Sequence, residues 1–279
     1  MMSSRKSLIY TDLDGTLIDH KTYSFAESLP ALASAQDHGI PVIFCSSKTR
    51  SEIEYLRQEM RVKDPFIIEN GGAVIIPAGY FPFFTGGQTQ TGHPTLAFGT
   101  PYQTLVSKMQ ELQSAFPGRI VSFYEMNEGE VARECGLTLE EARRAKQREF
   151  DEPFRLVNAD ADTIVRVTDT IRQLGLFCSQ GGRFYHLHGH NDKGAAVRIL
   201  THLFQQADGD VFTVALGDSL NDLPMLASVD HPVLVKKPGG NHDASLIKLL
   251  PNVHLAEGIG PHGWREAVTG LLDNLAADC

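Results

Sequence analysis

Residues 8–16 read LIYTDLDGT, and this stretch decides how the rest of the chain is interpreted. Residues 8–11 form a short apolar run rich in β-forming side chains, which is typical of a buried parallel strand. Asp12 and Asp14 follow at once, and Gly15 permits a sharp turn after them. Because ligands of open α/β sheets bind at the carboxyl ends of the strands, the pattern predicts two carboxylates that face one crevice.

Strand-like and helix-like segments alternate around this stretch. Residues 27–38 are typical of a helix that ends at Gly39, and Thr49-x-x-Glu52 is a capping box that opens a helix to about residue 60. Further strands are predicted at residues 42–45, 66–68 and 74–76. This order predicts an α/β fold with a parallel, Rossmann-like sheet and right-handed crossovers.

The pattern changes between residues 77 and 187. Residues 77–100 are rich in Gly, Pro and Thr and indicate a domain junction, or a hairpin that enters an insert. Helices are then predicted at residues 101–115, 138–149 and 160–174, and strands at residues 154–157, 176–179 and 183–187. The α/β pattern returns after His188. We therefore predict a core domain of residues 1–84 and 188–279, interrupted by an α+β cap domain of residues 85–187.

Composition limits the possible functions. The chain has 279 residues, of which 42% are hydrophobic and 21% charged, as in ordinary globular proteins of about two domains. Its net charge of −9 disfavours binding to nucleic acid or to an anionic membrane. Four widely spaced cysteines indicate a reducing compartment, and we expect no signal peptide and no membrane span. A cytoplasmic location is predicted, and no oligomeric state is indicated.

A second acidic motif follows a later strand. Residues 217–222 read GDSLND, directly after the predicted strand 211–216. Asp218 and Asp222 would then lie at the same sheet edge as Asp12, where a Mg²⁺ ion would offset the repulsion between carboxylates. Helix capping by Asp218 or Ser219 is the structural alternative, and it is compatible with metal binding.

Two further elements are typical of phosphate binding. Ser46 follows the strand 42–45 and precedes a helix, where a hydroxyl and helix N–H groups suit an anion. Lys193 opens the helix that precedes the second acidic motif. Taken alone, Ser46 could be an ordinary capping residue and Lys193 a solvated side chain.

In this order, the four elements resemble the motifs of the haloacid dehalogenase superfamily of phosphotransferases. The insert between the second and third motifs resembles the type IIB cap of Cof-like members. More narrowly, the chain is similar to the mannosyl-3-phosphoglycerate phosphatase family in five segments. They read YTDLDGTL at 10–17, CSSKTR at 45–50, PFIIENG at 65–71, GGRFYH at 181–186 and LGDSLND at 216–222.

The resemblance implies a mechanism. Asp12 would be the nucleophile that forms an aspartyl-phosphate, and Asp14 would be the general acid and base. Mg²⁺ would be held by Asp12, the carbonyl of Asp14 and Asp218, with Asn221 and Asp222 acting directly or through water. Ser46, Lys193 and the Gly15 N–H would bind the phosphoryl oxygens.

Substrate recognition is predicted from the local positive charges and the strand ends. Lys48, Arg183 and Arg148 could pair with the carboxylate of a small anionic glycosyl-phosphoglycerate, with Gln147 beside them. Glu69 and Asn70 could bind sugar hydroxyls, and His186 is implied as a cap or hinge residue. The alternatives are a solvated helix face for residues 143–148 and ordinary turn chemistry for Asn70-Gly71. A zinc site at His186, His188 and His190 lacks a further ligand at suitable spacing.

The resemblance implies Mg²⁺-dependent hydrolysis of mannosyl-3-phosphoglycerate, in the synthesis of mannosylglycerate. The alternatives are a glucosyl-3-phosphoglycerate phosphatase, a broader sugar phosphatase and a phosphomutase. A non-catalytic phospho-ligand binding module is a further alternative, against which the intact Asp12 and Asp14 pair argues.

Overall fold

A computed structural model describes residues 5–84, 94–181 and 184–277 of the chain. Within these ranges no helix combines the length and the apolar character that crossing a lipid bilayer requires. The predicted contact of Arg183 lies outside the described residues.

Strands and helices alternate along most of the described chain. The strands are β1 (Lys6–Thr11), β2 (Val42–Phe44), β3 (Phe66–Ile68), β4 (Ala73–Ile75), β5 (Thr95–Ala97), β6 (Ile120–Ser122), β7 (Asp151–Leu156), β8 (Phe177–Gly181), β9 (Phe184–His188), β10 (Val211–Gly217), β11 (His231–Lys236) and β12 (His254–Ile259). The helices are α1 (Leu29–Asp37), α2 (Arg50–Glu59), α3 (Tyr102–Ala115), α4 (Glu128–Cys135), α5 (Leu139–Ala145), α6 (Ala161–Gln173), α7 (Lys193–Asp208), α8 (Leu223–Leu226), α9 (Ala244–Leu249) and α10 (Gly260–Ala277).

The first and last parts of the chain share one parallel sheet. Among the described residues, five strands follow the order β12-β11-β10-β1-β2, and every pairing between neighbours is parallel. Side chains alternate between the two faces of β1, so Ile9 belongs to one buried apolar cluster and Leu8 and Tyr10 to another. Because both faces are covered, the strands are nearly continuous apolar runs, as predicted. The α/β fold class is confirmed.

The prediction for β3 and β4 needs correction. These strands pair antiparallel with each other, and β4 pairs antiparallel with β5, in a small sheet of their own. A 3₁₀ turn at Glu69–Gly71 joins β3 to β4, and so short a connection can only reverse the chain. A single parallel bridge between Cys45 and Ile67 leads from the end of β2 to this unit.

The middle of the chain forms an antiparallel sheet of four strands in the order β6-β7-β9-β8 within the described residues. Leu105 and Met109 of α3 and Val167 and Ile171 of α6 pack on it in a separate buried cluster with Phe154. This α+β unit is the predicted cap. The boundaries at residues 85 and 187 remain a proposal.

Local signals predicted helix starts better than helix ends. The capping boxes at Thr49 and Thr138 are both present, with side chains that accept from Glu52 N and Glu141 N. Helix α5 ends at Ala145, however, rather than near residue 149, and Arg148 Nε donates to the carbonyl of Ala145. Strand β7 begins at Asp151, three residues earlier than predicted, because the two acidic residues that open it are buried with partners.

Candidate active site

The predicted acidic strand ends lie side by side. Strands β1 and β10 are paired neighbours, with Thr11 opposite Leu216, and Asp12 N donates to Leu216 O at 2.9 Å. Asp12 and Asp218 therefore follow adjacent strands at the same edge of the sheet. Gly15 lies beside them at φ +83°, and a Cβ added there would be 3.0 Å from Asp218 Oδ2. A side chain at position 15 would thus press on the carboxylate of Asp218.

Lys193 joins this cluster from the N-terminus of α7. Its Nζ lies 2.6 Å from Asp12 Oδ1 and 2.7 Å from Asp222 Oδ1, and its side chain is fully buried. Burial alone would lower the pKa of Lys193, but the charges of Asp12 and Asp222 raise it above its ordinary value. A permanent ammonium therefore sits between two carboxylates.

Negative charge still exceeds positive charge at this point. Asp12, Asp218 and Asp222 each place a carboxylate oxygen within 4.8 Å of the others. Burial, followed by the charge of Asp222, raises the pKa of Asp12 well above its ordinary value and that of Asp218 to about 7. Both shifts have the same causes: the carboxylates are buried, and they lie close to the charge of Asp222.

Asp222 also has a structural role. Its Oδ2 accepts from the backbone N–H groups of Asp218 and Ser219, at 3.0 and 3.1 Å. The helix-capping alternative is thus realised at Ser219 and not at Asp218: Ser219 is the N-cap residue of the 3₁₀ turn Leu220–Asp222, and Asp222 accepts from its backbone N–H. Asn221 lies beside it, and its Oδ1 accepts from Ser219 Oγ at 2.6 Å.

Asp14 is held in place by Lys48, which lies two residues after Ser46. Lys48 Nζ lies 3.0 Å from Asp14 Oδ2 and 3.7 Å from Glu52 Oε1. Asp14 Oδ1 is buried without a hydrogen-bond partner among the described residues. Asp14 is therefore fixed through one oxygen, while the other remains available to a ligand.

A cavity of about 700 Å³ separates the core from the cap. Seven of the residues predicted from the sequence line it: Asp12, Asp14, Lys48, Arg148, His186, Asp218 and Asn221. Phe123 and Phe184 of the cap also line it, with their rings 5.0 Å apart. The structure thus brings the core carboxylates and Arg148 of the cap to the wall of one cavity.

A larger depression of about 1670 Å³ lies elsewhere, at the amino ends of the parallel strands. It is mostly apolar and includes Phe212, Val233 and Leu271. We place the chemistry in the smaller cavity, because the converging carboxylates and Lys48 are there.

Other predicted residues lie behind the cavity wall or away from it. Ser46 is buried, and its Oγ accepts from Lys48 N at 3.2 Å, whereas its neighbour Ser47 lines the cavity. Gly15 N–H donates to Ile18 O at 2.8 Å, so in this structure it is not available for a phosphoryl oxygen. Gln147 is exposed and does not line the cavity.

The predicted sugar contacts of Glu69 and Asn70 are not provided by this structure. Glu69 has no exposed surface, and its carboxylate accepts from Glu149 N at 3.0 Å and from Phe150 N at 2.7 Å. Asn70 has φ +54° and donates to Asp151 Oδ2 at 3.3 Å. Both residues instead connect the core to the segment where the cap strand β7 begins.

One buried acidic residue was missed by the sequence reasoning. Asp151 has no exposed surface, and its carboxylate lies 2.9 Å from His186 Nδ1. The only signal in the sequence is an aspartate next to strand-forming residues. Its partner is 35 residues away, so a local pattern could not reveal the pair.

The core cluster fits a divalent metal ion. Within residues 5–84, 94–181 and 184–277 it is the only group of three His, Cys, Asp or Glu side chains that converges this closely. Its donors are carboxylate oxygens, which Mg²⁺ prefers, and burial together with the neighbouring carboxylate charges raises the pKa of Asp12 and of Asp218, as expected where a cation would be favourable.

Comparisons with known proteins agree with this geometry. Residues 9–81 match the family model of haloacid dehalogenase-like hydrolases. A glucosyl-3-phosphoglycerate/mannosyl-3-phosphoglycerate phosphatase of Methanococcoides burtonii is 44% identical, over 96% of this chain and 97% of its own. A protein of the same name from Persephonella marina is 36% identical, over 98% of this chain and 99% of its own.

Solved structures support the fold. A subclass IIB sugar phosphatase of the haloacid dehalogenase superfamily aligns with a TM-score of 0.65 at 16% identity, over 95% of this chain and 98% of its own. The sucrose-phosphatase of Synechocystis aligns with a TM-score of 0.61 at 14% identity, over 95% of this chain and 98% of its own.

Proposed function

The chain belongs to the haloacid dehalogenase-like hydrolases, in the family of its glycosyl-3-phosphoglycerate phosphatase relatives, and we propose that it hydrolyses mannosyl-3-phosphoglycerate. The products are mannosylglycerate and inorganic phosphate. Glucosyl-3-phosphoglycerate is proposed as a second substrate, because two relatives that span nearly the whole chain carry both sugars in their names. A cytoplasmic location is proposed because the four cysteines are widely spaced, which indicates a reducing compartment.

The observation that carries this proposal is the position of Asp12. It lies on the cavity wall with Oδ1 bound to Lys193, so we assign Oδ2 as the nucleophilic oxygen. The Lys193 ammonium lowers the repulsion between the carboxylate and a phosphate dianion. Asp14 is on the same wall, two residues away, where it can reach the leaving oxygen.

The reaction proceeds in two displacements. Asp12 Oδ2 attacks phosphorus, an aspartyl-phosphate forms, and the bond from phosphorus to the glycerate oxygen breaks as Asp14 gives that oxygen a proton. A water then attacks phosphorus, Asp14 takes its proton, and the bond to Asp12 breaks. The contact from Lys48 Nζ to Asp14 Oδ2 holds the Asp14 side chain in place in both steps.

We propose Mg²⁺ as the cofactor, held by Asp12, Asp218 and the backbone carbonyl of Asp14, with Asn221 and Asp222 next to it. When bound, the ion neutralises the excess carboxylate charge and polarises the phosphoryl oxygens. Lys193 and Ser46 are proposed as further phosphoryl ligands. The role of Ser46 requires that its buried hydroxyl turn toward the substrate.

A phosphate-release panel tests the proposal. It compares mannosyl- and glucosyl-3-phosphoglycerate with hexose phosphates, each with Mg²⁺ and with EDTA. We expect release from the glycosyl-phosphoglycerates, at least tenfold less from hexose phosphates, and none with EDTA. Equal rates on all esters would indicate a broader sugar phosphatase, and a requirement for a sugar bisphosphate would indicate a mutase. No release from any ester would favour a binding module and end the proposal.

A further inference from the structure

His186 of β9 is held in one orientation by a buried acid. Its Nδ1 lies 3.0 Å from Oδ1 and 2.9 Å from Oδ2 of Asp151. Burial would raise the pKa of Asp151, but the charge and hydrogen bond of His186, together with Arg148, lower it below its ordinary value. Because an ionised carboxylate only accepts, Nδ1 carries a proton, and Nε2 is left as the nitrogen that can face the cavity.

Strand register explains why these two residues meet. Strands β7 and β9 are antiparallel, with Asp151 opposite His188 and Pro153 opposite His186. Residues two apart on a strand share a face, so Asp151 and His186 are diagonal neighbours on the same side of the sheet. The pairing is therefore built into the cap sheet itself and does not depend on a loop.

Arg148 is fixed on the same cavity wall. Its Nε donates to Ala145 O at 2.9 Å and its Nη1 to Ser47 O at 2.8 Å. Nη2 has no hydrogen bond to any residue that the structure describes, and the side chain lines the cavity. Burial would lower the pKa of Arg148, but Asp151, followed by Glu52 and Glu69, raises it. The guanidinium is thus a permanent cation with one nitrogen left for a ligand.

We propose that Arg148 Nη2 and His186 Nε2 form the subsite for the carboxylate of the substrate, with Asp151 as the positioning residue that aims His186 into the cavity. This inference rests on the proposed function, since a glycosyl-phosphoglycerate carries one carboxylate that takes no part in the reaction. The Arg148 guanidinium offers a charge-assisted hydrogen bond to such a group, and the His186 ring offers a second one when Nε2 also carries a proton.

The opposite wall is less suited to this purpose. It carries Asp12, Asp14 and Asp218, which would repel a second anionic group of the substrate. Two of its cations are already paired, Lys48 with Asp14 and Lys237 with Asp243 at 2.8 Å, and Lys21 is an exposed side chain that no ion pair holds in place among the described residues. A substrate with its phosphate at the core wall is therefore expected to direct its carboxylate toward the cap.

The test measures kcat and KM of wild type, Asp151→Asn and His186→Gln on two substrates. 3-Phosphoglycerate and glycerol 3-phosphate differ only by a carboxylate in place of a hydroxymethyl group. For both variants we expect KM for 3-phosphoglycerate to rise about tenfold or more, with kcat and the glycerol 3-phosphate constants within about twofold of wild type. The double variant should resemble His186→Gln alone, because Asp151 acts through that ring. Equal losses on both substrates, or additive effects of the two substitutions, would overturn the inference.

A binding measurement separates this inference from the proposed activity. Calorimetry compares the glycosylglycerate product with its methyl ester, in wild type, Arg148→Gln and Arg143→Gln. Arg143 is the control, because it is half exposed and pairs with Glu128 and Glu140. We expect the product to bind wild type and Arg143→Gln at least tenfold tighter than its ester does, and Arg148→Gln to lose that preference. A wild type that binds both equally would refute the subsite even if phosphate release proceeds.

Discussion

The core wall and the cap wall of the cavity differ in how their charges are balanced. On the core wall, three carboxylates converge and the single ammonium of Lys193 pairs with two of them, so that negative charge is in excess. On the cap wall, the Arg148 guanidinium lies among acids that have no exposed surface themselves, including Asp151 and Glu69. The core wall therefore suits the cation that we propose as its cofactor, whereas the cap wall presents a cation that the protein already balances.

The two walls are suited to different tasks, the core wall to the reaction and the cap wall to substrate recognition. Uncompensated charge is costly to bury and is useful where a metal ion and a phosphoryl group bind together. Compensated, hydrogen-bonded cations cost less and hold a fixed orientation, which suits recognition of a group that does not react. Changes to the core wall should therefore affect chemistry and metal dependence, and changes to the cap wall should affect KM.

The largest effect is expected from Asp12→Asn, which keeps the shape of the side chain and removes the nucleophile. We expect phosphate release to fall by about 10³-fold or more, because an amide oxygen does not form the covalent intermediate. Asp37→Asn is the matched control, since Asp37 is exposed at the end of α1. Single-turnover phosphate release measures both. An Asp12→Asn variant with more than a tenth of the wild-type rate would contradict the assignment.

Lys193→Met should be next in size, because it leaves the buried carboxylates without their ammonium. Removing one partner from a buried charge cluster costs about 3–5 kcal/mol, and we expect activity to fall by about 10²-fold. Mg²⁺ should raise the Tm of this variant by more than it raises that of wild type, since the ion then provides the missing charge.

The control for Lys193→Met is Lys6→Met. Lys6 also pairs with an aspartate, Asp208 at 2.9 Å, but both side chains are about one third exposed. A loss within about 1 kcal/mol is expected for such a surface pair. Thermal unfolding with and without Mg²⁺ compares the two variants, and equal losses would contradict the view that the core cluster is short of positive charge.

The sequence predicted the core wall far better than the cap wall. Asp12, Asp14 and Asp218 were found because each follows an apolar strand directly, and parallel strands end at a common edge. Asp151 could not be found in this way, since it meets His186 only through the register of β7 and β9. Glu69 was assigned to sugar binding because nothing near it in the sequence indicates Glu149 and Phe150, some 80 residues later. Local patterns thus predicted strands and caps, whereas contacts between distant segments required the fold.

Glu69 lies where the core meets the cap segment, and it should make the stability of the fold depend on pH. Burial raises its pKa to about 8, against an ordinary value of 4.5 in the unfolded chain. The folded state then holds a proton that the unfolded state releases between these values, so this contribution to stability is full below about pH 4.5 and is lost as the pH rises to about 8.

Glu69→Gln should remove that part of the pH dependence. Glu69 Oε2 accepts from both Glu149 N and Phe150 N, so the single amide oxygen of glutamine can keep both bonds. We expect the variant to be more stable than wild type at pH 8 by about 1 kcal/mol or more, which is about 2–4 °C in Tm, and similar to it at pH 5. Parallel Tm profiles of the two proteins from pH 5 to 8 would show that Glu69 does not titrate in this range.

The smallest effect is expected at the Arg50–Glu149 ion pair, which joins the core to the cap segment. Arg50 of the core binds Glu149 of the cap segment through two hydrogen bonds, of 2.7 and 3.1 Å, and the Glu149 side chain is one third exposed. Glu149→Gln keeps the backbone N–H that Glu69 accepts from and removes only the charge. For a pair that is partly in water we expect a loss of about 1 kcal/mol or less, so Tm should fall by at most about 2–4 °C. Glu140→Gln, in an exposed pair with Arg143, is the control and should change Tm by less.

Because the Arg50–Glu149 pair affects how the cap is held and not the reacting groups, kcat of Glu149→Gln on glycerol 3-phosphate should stay within about twofold of wild type while KM for the glycosyl substrate rises. A fall in kcat equal to the rise in KM would mean that the cap wall takes part in the chemistry, and the division of tasks between the two walls would then have to be given up.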